Sequence, residues 1–107
     1  MASKEIHIIA TLQAKPGKLD EVAALFAETA KKVHASEPNT LAYYSIKPKK
    51  GDELFVVERY KDAASLQAHG GSETFKAFSK AVGPLLAAPL KIQIGPQIGG
   101  FRRESNL

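Results

Sequence analysis

The 107-residue sequence contains no cysteine. Disulfides, thiolate nucleophiles, iron–sulfur clusters and zinc ribbons are therefore excluded, and the chain suits a reducing compartment. No apolar run approaches the roughly 20 residues that cross a bilayer. Met1-Ala2-Ser3-Lys4-Glu5 leads into a strand-like segment interrupted by His7, without an export-type apolar block. The expectation is a cytoplasmic protein with no membrane partner. Ser105-Asn106-Leu107 only loosely matches the Ser-Lys-Leu peroxisomal address, because its middle residue is not basic. Gly-x-Gly-x-x-Gly and Walker sequences are missing, and Gly70-Gly71 and Gly99-Gly100 lack a strand–turn–helix setting, so no nucleotide cofactor is expected. His7 and His34 have no neighbour at ligand spacing, and a strong metal site is hard to assemble from one such chain.

What is present is an ordinary globular composition, 44% hydrophobic and 24% charged, which argues against disorder and against fibrous repeats. The length suits one domain over residues 1–107, with a core at about 5–95 and a C-terminal arm at about 96–107. Lys plus Arg exceed Asp plus Glu by 15 to 11, an excess that raises the question of a nucleic-acid partner. Its distribution answers in the negative. The basic residues gather only at Lys47-Pro48-Lys49-Lys50, beside a turn, and at Arg102-Arg103, with no aromatic interleaved to stack on bases.

From Glu5 to Gln13, Ile6, Ile8, Ala10 and Leu12 alternate with His7, Ile9, Thr11 and Gln13, the period of a strand. Pro16-Gly17 breaks it. Lys18 to about Ser36 reads as a helix with Leu19, Val22, Phe26, Ala30 and Val33 on one stripe. Leu41–Lys47 is a second strand, on which Tyr43 and Tyr44 must face opposite ways. Lys50-Gly51-Asp52 turns the chain into a third strand, Leu54–Tyr60, whose apolar run Leu54–Val57 suggests that both sheet faces are covered. Asp62 caps a short helix through Leu66 to His69, closed by Gly70-Gly71. Ser72 caps a longer helix with Glu73, Phe75, Phe78, Val82 and Leu85, bent or broken by Pro84, and Leu90, Ile92 and Ile94 mark a fourth strand.

The order βαββαβ predicts an α+β, ferredoxin-like fold with an antiparallel sheet. Its helices cover one face of that sheet. The second apolar face calls for a partner sheet, most economically from a homodimer.

Three runs carry a resemblance: Lys15-Pro16-Gly17-Lys18-Leu19-Asp20-Glu21, then Glu37-Pro38 followed by Tyr43 or Tyr44, and above all Val57-Glu58-Arg59-Tyr60-Lys61-Asp62 into Leu66-Gln67-Ala68-His69. Over roughly residues 5 to 95 the chain resembles the antibiotic biosynthesis monooxygenase family of dimeric α/β barrels. The resemblance implies oxygenation of quinols and polyphenolic or polyketide-like compounds, typically without metal, flavin or other prosthetic group. It also implies catalytic roles for His69 and Glu58. Two departures stand out. Many relatives carry a second His five positions after the first, where this chain has Thr74. Haem-degrading relatives share an Asn on the first strand and a Trp near the second helix, whereas here the strand offers His7 and the chain has no Trp.

Each candidate has a bland counterpart. An imidazole titrates near neutrality, which suits His69 to base chemistry, but a His at a helix end also caps it. Glu58, in a covered strand, needs a partner or a raised pKa, and serves equally as a buried hydrogen-bond anchor. Tyr60 shares its face and either binds a substrate oxygen or packs in the core. One of Tyr43 and Tyr44 can line a pocket, and Phe75 and Phe78 line it or fill the core. The leading expectation is a cofactor-independent monooxygenase acting with O₂ on a small phenolic, quinol-like or other apolar hydroxylated substrate. The alternative is a non-catalytic dimeric barrel that binds a small apolar ligand or serves as a stress-associated scaffold.

Overall fold

The two periodicities of the sequence resolve, in a computed structural model that describes residues 4–103, into four strands and three helices. Ser105-Asn106-Leu107 lies outside the described residues. The elements are β1 (Ile6–Gln13), α1 (Leu19–Ser36), β2 (Thr40–Ile46), β3 (Glu53–Tyr60), α2 (Ala63–Gly70), α3 (Glu73–Val82) and β4 (Lys91–Gly95). A 3₁₀ turn at Gly83–Leu85 follows α3 and holds Pro84, so the helix stops at Val82 and Leu85 packs on the core from the turn. The sheet is antiparallel, ordered β2-β3-β1-β4, which confirms the α+β ferredoxin-like arrangement.

Register assigns the two faces. Ile8 pairs with Glu58 on one side and Ile94 on the other, and Glu58 pairs with Tyr43, so these four cross the sheet as one row. That row faces the helices, together with Ala10, Leu12, Leu54 and Val56. From the helix side α1 buries Leu19, Val22, Phe26, Thr29 and Val33. Thr29 joins the stripe beside Ala30, which packs half-buried against the core; the Thr29 hydroxyl donates to the Leu25 carbonyl at 2.9 Å, which satisfies it inside the layer. The opposite face carries Ile9, Tyr44 and Ile46, each about half exposed, around the half-buried Phe55 and Val57.

Two local devices place the site. Gly51 adopts φ +97° in the turn from β2 to β3, a conformation that favours glycine. In β2 the register slips between Thr40 and Ala42, so Leu41 is a bulge residue. Without the slip Tyr43 would oppose Val57; with it Tyr43 opposes Glu58 and faces the helices, while Tyr44 opposes Val57 on the outer face.

Candidate active site

Between the sheet and the helices lies a cavity of about 210 Å³. Ile8, Ala10, Leu12, Val56, Leu90 and Ile92 form its sheet side, and Phe26, Leu66, Phe75 and Phe78 its helix side. Three residues bring polar atoms into this apolar lining: Tyr43, Glu58 and His69.

His69 is 3% exposed. Its position is set by the ends of two helices. Asp62 caps α2, accepting from the Ser65 N–H at 2.9 Å and the Ser65 hydroxyl at 2.7 Å. At the other end Ser72 donates to the His69 carbonyl at 2.7 Å and accepts from the Phe75 N–H at 3.1 Å, which ties the last turn of α2 to the first of α3. Tyr43, Tyr60 and Phe75 surround the imidazole with ring centroids at 5.2, 5.3 and 5.2 Å. Within this cage Nδ1 lies 2.8 Å from Glu37 Oε1, and Nε2 is buried with no protein partner. An unmet buried polar atom typically costs about 1–3 kcal/mol, so its retention beside a cavity points to an occupant.

Glu58, 8% exposed, accepts a hydrogen bond from the Tyr60 hydroxyl at 2.5 Å. Burial pushes its carboxyl above the usual range; the Tyr60 bond and His69 pull it down, and Glu37 adds to the rise. A carboxyl held toward its neutral form can donate a hydrogen bond to an oxygen in the cavity. Burial likewise raises the Tyr43 and Tyr60 hydroxyls, with Glu58 contributing to both, so they remain neutral donors.

Five of the seven candidate residues line the cavity: Tyr43, Glu58, His69, Phe75 and Phe78. Tyr44 does not, because the Leu41 bulge turns it to the outer face. Tyr60 does not line the cavity either; it is wholly buried and spends its hydroxyl on Glu58. Glu37 was assigned no role by sequence reasoning. Pro38 supplies its local signal, since a residue before proline is driven out of the helical region, and Glu37 at φ −124° and ψ 80° ends α1 there. Its partner His69 lies 32 positions on, a distance no local pattern bridges. Among the described residues there is no group of three or more His, Asp or Glu side chains able to hold a metal ion.

A family profile for antibiotic biosynthesis monooxygenases matches residues 5–81. The chain belongs to the antibiotic biosynthesis monooxygenase family. Among solved structures it is similar to a candidate antibiotic biosynthesis monooxygenase from Caulobacter crescentus, with 33% identity over 91% of this chain and 92% of the other, at a TM-score of 0.84. A candidate member from Chloroflexus aurantiacus is 25% identical over 92% and 97% of the two chains, at 0.75. One from Nitrosomonas europaea shares the fold at 0.83 over 92% and 94%, with 15% identity. The comparison with curated proteins finds no match. No helix among the described residues is long and apolar enough to cross a membrane.

Proposed function

We propose that this antibiotic biosynthesis monooxygenase family member is a cofactor-independent monooxygenase that oxidises a small phenolic, quinol-like or other apolar hydroxylated substrate with O₂. The observation that carries the reading is the buried, unpartnered Nε2 of His69, on a ring that lines an almost wholly apolar cavity. His69 acts as the base: Nε2 takes a hydroxyl proton, and the resulting electron-rich anion passes an electron to dioxygen. Glu58 donates to a second substrate oxygen, Tyr43 lines the face of the ring system, and Phe75 and Phe78 exclude water. Tyr60 supports Glu58 from behind.

The working unit is a homodimer in the cytoplasm, its two outer sheet faces packed together; the half-exposed Ile9, Tyr44 and Ile46 support this. Oxygen uptake with a panel of quinols and anthrones tests the reading. His69→Ala is expected to lose about 10²- to 10⁴-fold in rate while keeping its fold. Substrate-induced thermal stabilisation without turnover across the panel would replace the enzyme with a ligand-binding protein. Thr74, standing where many relatives have a second His, favours that second reading.

A further inference from the structure

We propose that Glu37 is the positioning residue that makes His69 a base, and that it passes protons between the apolar cavity and a hydroxyl-lined cleft beyond the imidazole. The proposal rests on the reading of His69 given above. Glu37 lies just after α1, outside the cavity lining, and reaches the site only through the ring. Its Oε1 accepts from the Thr40 hydroxyl at 2.7 Å, so the same oxygen is an acceptor toward Nδ1 at 2.8 Å. Nδ1 therefore carries the ring hydrogen, and Nε2 keeps its lone pair.

Among the described residues, two buried side-chain atoms have no partner: His69 Nε2 and Glu37 Oε2. They terminate one path that runs from Nε2 through the imidazole to Nδ1, across the hydrogen bond to Oε1, and through the carboxyl to Oε2. A pair built only to fasten α2 to the end of α1 would have no reason to leave both outer atoms unmet. Beyond Glu37 lies a second concavity of about 400 Å³, whose polar lining comes from Ser36, Asn39, Thr40, Ser65, Ser72 and Glu37 itself, beside the apolar Pro38 and Ala68. Hydroxyl and amide groups of this kind hold water.

The transfers balance. When Nε2 takes a hydroxyl proton, one O–H bond breaks and one N–H bond forms; the substrate becomes an anion, and Glu37 faces the imidazolium. Transfer of the Nδ1 proton to Oε1 breaks that N–H bond and forms an O–H bond on Glu37. The ring is then neutral with its hydrogen on Nε2; a half-turn of the Glu37 carboxyl about its Cγ–Cδ bond exchanges the two oxygens, and the O–H now turned away from the ring breaks as its proton passes to water in the cleft. Run backwards, the same steps deliver a proton to oxygen being reduced in the cavity.

Nitrogen-15 spectra of the histidine rings in the full chain read the tautomer directly and need no substrate. Wild type is expected to carry the His69 hydrogen on Nδ1, with Nε2 bare. In Glu37→Leu no acceptor faces Nδ1, so the ring reverts to the Nε2–H form that a free neutral imidazole favours and its exchange with solvent slows at least about tenfold; Glu37→Asp restores the wild-type pattern. A wild-type ring protonated at Nε2, or a tautomer and exchange rate unmoved in Glu37→Leu, overturns the proposal. Turnover of 1,8-dihydroxyanthrone separates this from the functional reading. If His69→Ala is inactive while Glu37→Leu keeps wild-type kcat and tautomer, the Glu37 proposal alone fails. If His69→Ala is fully active, the base assignment fails and the spectra still decide whether Glu37 sets the tautomer.

Discussion

Glu58 couples the site to pH. Its carboxyl titrates near 4.5 in the unfolded chain and higher in the fold, chiefly because burial penalises the charge. Between those two values the native protein holds a proton that the unfolded chain has released. The contribution is complete below the unfolded value and is lost as pH rises through the folded one. The melting temperature of wild type, measured at closely spaced pH values upward from 4.5, is therefore expected to carry a falling component that Glu58→Gln lacks. Glutamine is neutral throughout and still accepts from Tyr60, so subtracting the two curves removes the opposite-signed contributions of Asp20 and Asp62, whose values Lys47 and Ser65 lower. A difference curve that rises with pH would refute the burial argument. Glu58 and His69 were legible in the sequence because each breaks its surroundings, an acid in an apolar strand and a His before two glycines. Glu37 was not, because it lies at an ordinary helix end and is defined by a partner in another element.

Elements carry the site by how they end. Ser72 caps α3 and also grips the carbonyl of His69, so Ser72→Ala removes two bonds at one joint. The loss is expected to be about 0.5–2 kcal/mol, with roughly 4–8 °C of melting temperature for each kcal/mol. Ser72→Thr, which can make both bonds, should recover most of it; calorimetry on the three proteins checks this. Apart from the end of α3, which stops at Val82 short of Leu85, boundaries fell within a residue or so of the sequence expectation, because Pro16-Gly17, Asp62 and Ser72 act locally. The phase of β2 did not follow from such signals. Alternation says that Tyr43 and Tyr44 oppose each other; it does not say which faces in, because the Leu41 bulge shifts the count by one. Deleting Leu41 is expected to close the bulge without exchanging the faces, since Thr40, Ala42 and Tyr43 then pair with Tyr60, Arg59 and Glu58 in an unbroken ladder; Tyr43 stays inside and Tyr44 outside, with accessibility to mild tyrosine nitration as the readout.

At the scale of the molecule, an antiparallel sheet with three helices on one side leaves its other side to be accounted for. Ile9, Tyr44 and Ile46 surround Phe55 and Val57 there, which is the second apolar face anticipated from Ile9 and the Leu54–Val57 run. Sedimentation at low micromolar concentration is expected to give a dimer, and Ile9→Glu combined with Tyr44→Glu a monomer with its helices intact. A wild-type monomer would rule out the sheet-to-sheet assembly. The cavity also has a mechanical consequence. The hollow of about 210 Å³ opens partly to solvent, so the part of it that stays dry is volume that unfolding removes, and hydrostatic pressure acts on the fold through that part. An occupant that fills the hollow makes the native state less responsive to compression. High-pressure fluorescence can therefore detect binding even for a molecule that the protein holds without transforming.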